Sequence, residues 1–178
     1  MKGVVIYGSN YGTTKEYAEA LAKDLKFDCY YYKEMKEDNI NNYHYIVYGG
    51  GLYAGSILGL SKTMKKINNP EDRDITIFTV GLADPEDKEN ITAIRKRVKE
   101  QIPEELYDEE KIFHFRGGID YSKLSFIHKA MMTLVYKKVK NIPVEKQSAD
   151  DRGIIETFNK KIDFVDVNKL KVLEEKII

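Results

Sequence analysis

Only one cysteine, Cys29, occurs in the 178 residues of this chain. A lone thiol excludes an intramolecular disulfide and a cysteine metal cluster, and it fits a reducing compartment, so a cytoplasmic location is expected, peripheral to the inner face of the membrane at most. Cys29 itself reads as a small buried apolar residue. Long hydrophobic runs are also missing. Met1-Lys2 leads directly into Val4-Val5-Ile6, too short a stretch for a secretory signal, and nowhere do about 18 apolar residues follow one another as a membrane span requires. Net charge is absent too, with 29 Lys and Arg against 29 Asp and Glu. That balance argues against a protein that neutralises nucleic-acid phosphates and against a strongly acidic docking face. His44, His114 and His128 are too scattered to suggest a metal site. Without repeats, low-complexity tracts or linkers, residues 1–178 read as a single domain, long enough to bury roughly 70% of its unfolded surface.

What is present is an alternation of two periodicities, short β-branched or aromatic runs and longer segments with apolar residues three and four apart. This is the βαβ signature of a parallel sheet. Strands are expected at 3–7, 27–32, 45–48, 74–80 and 112–115, the second of them near an edge because it is partly polar. The third should stop at Gly49-Gly50-Gly51. Helices are expected at 13–26, from about 56 to 67, and at 87–101. Beyond the fifth strand, residues 117–153 read as an insertion or extension. It contains an amphipathic helix at 123–140 with Leu124, Ile127, Met131, Leu134 and Val135 on one side, then a loop over 141–153. A closing helix is expected at 166–176.

In an open parallel sheet, ligands bind beyond the carboxyl ends of the strands. Three glycine-bearing loops occupy those ends. Gly8-Ser9-Asn10-Tyr11-Gly12-Thr13-Thr14 joins a strand to a helix, where backbone N–H groups and the helix dipole favour a phosphate dianion. Its spacing matches neither a triphosphate nor a dinucleotide fingerprint; its alternative reading is a helix start capped by Ser9 or Thr13. Gly49-Gly50-Gly51-Leu52-Tyr53-Ala54-Gly55 lets the chain approach a flat ligand closely, with Tyr53 offering an aromatic face. Gly81-Leu82-Ala83-Asp84-Pro85 could touch the same ring, or form a helix cap at Asp84 with Pro85 in the first turn.

Together these segments resemble the flavodoxin superfamily, and within it the flavodoxin-like protoporphyrinogen oxidase group, over nearly the whole chain. The resemblance implies a five-stranded parallel sheet of order 2-1-3-4-5 with helices on both faces, and non-covalent FMN. By position, Ser9, Asn10, Tyr11, Gly12, Thr13 and Thr14 would hold the phosphate. Gly50, Gly51, Leu52, Tyr53, Ala54 and Gly55 would line the ring, and Gly81, Leu82, Ala83 and Asp84 would close its other side. The third loop lacks the aromatic usual there, which would leave one flavin face open to a substrate, a quinone or Tyr121.

The expected function is electron or hydride transfer through FMN, with no catalytic side chain and no metal, in a protoporphyrinogen-oxidase-like oxidoreductase. Its partner would be a redox protein, a quinone or a small substrate. The 123–140 helix, with its lysines around an apolar face carrying Phe126, Met131 and Met132, could rest on a membrane surface or wall a hydrophobic substrate cleft, or its apolar face could pack on the sheet with the lysines solvated. The alternative is a one-electron carrier. A receiver module is a remote third reading, because Gly49 stands where a receiver needs an aspartate.

Overall fold

The computed structural model describes residues 2–53 and 55–177. Five parallel strands form its centre: β1 (Gly3–Gly8), β2 (Asp28–Tyr31), β3 (Tyr45–Tyr53), β5 (Asp74–Gly81) and β6 (Ile112–Arg116), in the order β2-β1-β3-β5-β6. In sequence terms this is 2-1-3-4-5, with β2 at one edge. Register is continuous through the middle of the sheet, where Val5 pairs with Val47 and Val47 with Thr76.

Because strand side chains alternate in direction, each strand feeds two cores. Val4, Ile6, Ile46, Tyr48 and Ile77 face one way, packing with Ile40 of α2 (Glu37–Ile40), Met64 of α3 (Leu60–Met64) and Ile94 and Val98 of α4 (Lys88–Lys99). Val5, Val47, Phe78 and Val80 face the other, covered by Tyr17, Ala18 and Leu21 of α1 (Thr13–Leu25) and Leu173 of α7 (Lys171–Ile177). Tyr17 also joins three segments, since its hydroxyl donates to the Arg116 carbonyl and accepts from the Asp166 amide, both at 2.9 Å. Cys29 is half-buried and packs against this second core; burial first, then the negative charge of Glu19, pushes its thiol up to about 11, leaving it unreactive at neutral pH.

Four expectations need correction. The third strand does not stop at Gly49 but runs to Tyr53, and β4 (Ser56–Ile57) folds back antiparallel onto Leu52 and Tyr53. Glycine is a weak strand former, yet here it is the neighbours that require it: a Cβ at Gly49 would lie 2.2 Å from the Phe78 ring, and one at Gly50 would lie 2.1 Å from Ile57. The helix expected over 56–67 is consequently reduced to α3, which starts after Gly59. Helix α4 is capped not by Asp84 but by Asp87, whose carboxylate accepts from the Glu89 and Asn90 amides. Residues 141–153 are not all loop. Ser148 and Asp151 form a capping box that starts α6 (Ala149–Thr157).

The extension after β6 has structure of its own. β7 (Gly118–Asp120) pairs antiparallel with β8 (Lys161–Asp163), and between them α5 (Phe126–Val139) and α6 lie over the carboxyl edge of the sheet. Helix α5 is not one-sided. Met131, Met132 and Val135 face the sheet's ligand edge, whereas Ile127 and Leu134 point into solvent, and Leu124 precedes the helix and is buried.

His114, in β6, is structural in its surroundings. Its Nδ1 is 2.8 Å from Thr79 Oγ1, and among the described residues Nε2 has no partner. Burial, with the positive charge of Arg95 adding to it, pushes its pKa down from 6.5 to about 4. Below pH 6.5 the unfolded chain therefore takes up a proton that the folded chain refuses. Stability should be intact above that pH and fall as pH drops towards 4, by up to about 1.4 kcal/mol per pH unit. His114→Gln should flatten the melting-temperature profile over that window; an unchanged profile would contradict the assignment.

Candidate functional site

The carboxyl ends of β1, β3 and β5 converge under α5 and α6 on a cavity of ≈ 270 Å³, comparable to the smaller ligand pockets. Its floor begins with the first loop. Gly12 is the N-cap of α1 in a left-handed conformation, φ 99°, and no side chain caps the helix. The capped alternative is thus replaced by a different arrangement: Ser9 Oγ accepts from the Gly12 N–H at 3.0 Å, folding the loop on itself. The first-turn amides of α1 are left without intrahelical acceptors, as at any helix start. With the dipole behind them they form a place for an anion. Thr14 is almost wholly buried and its hydroxyl faces Gly51, at 3.1 Å from where a Cβ would stand, while Thr13 Oγ1 faces Gly117 at 3.0 Å from the corresponding point. Side chains at either glycine would fill the space in front of these hydroxyls.

The second wall is the β3–β4 turn. Its position is fixed from below by Tyr48, whose buried hydroxyl donates to the Leu58 carbonyl. Leu52, Tyr53 and Gly55 line the cavity. Gly55 has φ 80° and nothing within 4 Å of a would-be Cβ, so the turn is open at that point. The third wall is Gly81, Leu82 and Ala83. Arg116 holds this loop by donating from Nε to the Leu82 carbonyl at 2.8 Å, while its Nη2 donates to the Glu156 carboxylate of α6 at 2.6 Å.

The roof is where the site departs most from expectation. His128, Met131, Met132 and Val135 of α5 complete the cavity, and Leu82 packs with Met132. The His128 Nδ1 is hydrogen-bonded to the Tyr11 hydroxyl, and its ring lies 5.4 Å from that of Tyr53. Tyr53 in turn directs its hydroxyl at Met131 Sδ, 3.9 Å away. A histidine on the extension thus bridges the first loop and the second. One ion pair, Arg97 with Asp150 at 2.6 Å, stands in the wall between α4 and α6.

Of the residues expected to hold a cofactor, Ser9, Asn10, Tyr11, Thr13, Thr14, Gly51, Leu52, Tyr53, Gly55, Gly81, Leu82 and Ala83 line this one cavity. Gly12 and Gly50 lie just behind the lining and shape it, and Ala54 lies outside the described residues. Asp84 is not brought in: it turns away to accept from the Glu86 amide at 2.9 Å. Arg97, Asp150 and His128 were not anticipated as lining, whereas the 123–140 helix does wall the cavity, with Met131 and Met132 as one of its expected readings had it and without Phe126. An apolar helix pattern shows that a segment packs, but not against what, and Arg97 and Asp150 become neighbours only through the fold. Tyr121 is buried beneath α5 beside Phe158 and lies outside the cavity lining, so it is not the group facing an open ring. Among the described residues no group of three or more His, Cys, Asp and Glu side chains could hold a metal ion.

A 2-1-3-4-5 parallel sheet with an uncapped helix start and a cavity at its switch point is the flavodoxin-like arrangement. The flavodoxin domain family model matches residues 4–143, and the chain belongs to that family. No curated protein matches the sequence. Among solved structures, oxidised Flavodoxin 2 from Bacillus cereus is 13% identical, with 99% of each chain covered and a TM-score of 0.49. A flavodoxin from the domain Archaea is 17% identical, covering 65% of this chain and 83% of that one, TM-score 0.43. A flavoprotein in complex with FMN from Lactobacillus acidophilus NCFM is 17% identical, covering 65% and 90%, TM-score 0.39.

Proposed function

We propose that the cavity binds FMN and that the protein is an oxidoreductase passing electrons between the flavin and a small apolar substrate such as a quinone or a porphyrinogen. The observation that carries this reading is the convergence of three strand-end loops on one slot, with uncapped helix amides at one end and glycine-lined, largely apolar walls elsewhere. The residues fit the group. Thr13, Thr14 and the first-turn amides would hold the phosphate, and Leu52, Tyr53, Gly81 and Leu82 would bound the ring. When bound, FMN supplies the one- or two-electron chemistry, and no protein nucleophile is required.

The choice of an oxidoreductase over a one-electron carrier rests on α5. A carrier exposes its flavin edge to docking proteins and is commonly steered to them by charge. Here Met131, Met132 and Val135 cover the slot with apolar surface, and the whole chain has no net charge. Such a roof excludes water and favours a hydrophobic substrate entering beside it. The same segment carries the resemblance to the protoporphyrinogen oxidase group. Reducing the FMN-loaded protein with light in the absence of oxygen, then adding a water-soluble quinone, tests the proposal. Prompt return of the oxidised flavin spectrum while FMN stays bound is expected; a bound flavin that the quinone does not reoxidise would contradict the oxidoreductase reading.

A further inference from the structure

Helix α5 has a second apolar side that faces no part of this chain. Phe126, Ile127 and Leu134 are 87%, 76% and 69% exposed, and at 100° per residue they fall with Ala130 within about 100° of arc. Solvated helix faces normally carry polar residues. Here the charged residues of the outward side are all lysines: Lys137 and Lys138 at its C-terminal end, Lys129 on its flank, and Lys123 just before the helix begins. Among the described residues none of these four is ion-paired. Lys160 and Lys161 extend the same rim, sharing an open hollow with Lys129, Thr133 and one acid, Asp120. Over residues 123–146 there are six lysines against one glutamate, in a chain whose charges otherwise cancel.

From this juxtaposition we infer that the outward side of α5 docks on an anionic lipid surface. A ridge of large apolar side chains rimmed by flexible lysines matches the two layers of such a surface. The ridge enters the acyl boundary, while the ammonium groups stay among the phosphates, each lysine strengthening binding by about fivefold. No helix among the described residues is long and apolar enough to cross a membrane, so the contact is one of lying on the surface. It deepens the proposed function, because the opposite side of this helix roofs the cavity. Docking would hold the cavity one helix diameter from the bilayer, where an apolar substrate is concentrated.

Flotation of the full-length protein with phosphatidylglycerol/phosphatidylcholine vesicles, with pure phosphatidylcholine as reference, tests this. The protein is expected to rise with the anionic vesicles and at least about tenfold less with the neutral ones. A Phe126→Ser/Leu134→Ser variant should lose at least about tenfold of that partitioning and a Lys129→Gln/Lys137→Gln variant about 25-fold, both keeping the parent circular dichroism and affinity for FMN, since none of these side chains lines the cavity. Protein that rises with anionic vesicles but binds no FMN would uphold the docking and sink only the flavin reading. Protein that binds FMN yet stays at the bottom of the gradient overturns the docking. So does a dimer that the Phe126→Ser/Leu134→Ser variant dissociates without any vesicle binding, which would make the ridge a contact between copies.

Discussion

Replacing Gly8 with alanine is expected to lower the melting temperature by roughly 2–12 °C and to remove measurable FMN binding. A Cβ at Gly8 would stand 2.0 Å from the Leu58 carbonyl oxygen and 3.0 Å from the Tyr48 hydroxyl. Neither can step aside freely. Tyr48 is fully buried in the sheet, its hydroxyl is bonded to that carbonyl, and burial holds its ionisation far above the usual phenol range. Leu58 is in turn tied to β3 by its amide, which donates to the Gly51 carbonyl at 3.1 Å. Relief must come from separating the first loop from the β3–β4 turn, the two halves of the proposed slot. Overpacking of this kind costs about 1–3 kcal/mol, or roughly 2–4 °C per kcal/mol for a chain of this size. Thermal denaturation and FMN titration of Gly8→Ala check both parts; a variant with the parent melting temperature would show that the two loops are not locked as described.

The second large effect concerns the phosphate alone. Thr14→Val removes a hydroxyl that faces Gly51 across the cavity and keeps the buried volume that α1 needs. A hydrogen bond to a charged group contributes about 1.5–3 kcal/mol, so FMN should bind about 10- to 100-fold more weakly. Riboflavin, which has the ring without the phosphate, should be affected little. The selectivity of the loss is the informative part. If both ligands weaken together, Thr14 shapes the slot and does not hold the phosphate, and the orientation of the ligand proposed here is wrong.

Much of this architecture could be read from the chain before any coordinates. Near-continuous β-branched runs such as Ile75-Thr76-Ile77-Phe78 read as strands covered on both faces, and Tyr17, Ala18 and Leu21 at helical spacing as an inward helix face, and both are buried as expected. The glycine loops stood out because clustered backbone freedom is costly unless something must approach closely. What stayed hidden was set by tertiary neighbours. Gly49 and Gly50 stand within a strand where Phe78 and Ile57 occupy the space their side chains would need, and Gly51 stands where Thr14 and the Gly8 carbonyl do. Helix α5 looked one-sided because its pattern shows apolar residues without saying which of them meet the sheet's edge and which meet water. The bridge from Tyr11 through His128 to Tyr53 joins residues that no local rule relates.

The central claim, one cleft with an anion seat at one end and a flat slot at the other, is tested most directly by titrating the flavin-free protein with FMN and with riboflavin and following flavin fluorescence. The account predicts quenching that saturates at one FMN per chain, with micromolar or tighter affinity, and riboflavin binding at least about tenfold weaker for want of the phosphate contacts. No quenching by FMN, or equal affinity for the two flavins, would contradict it.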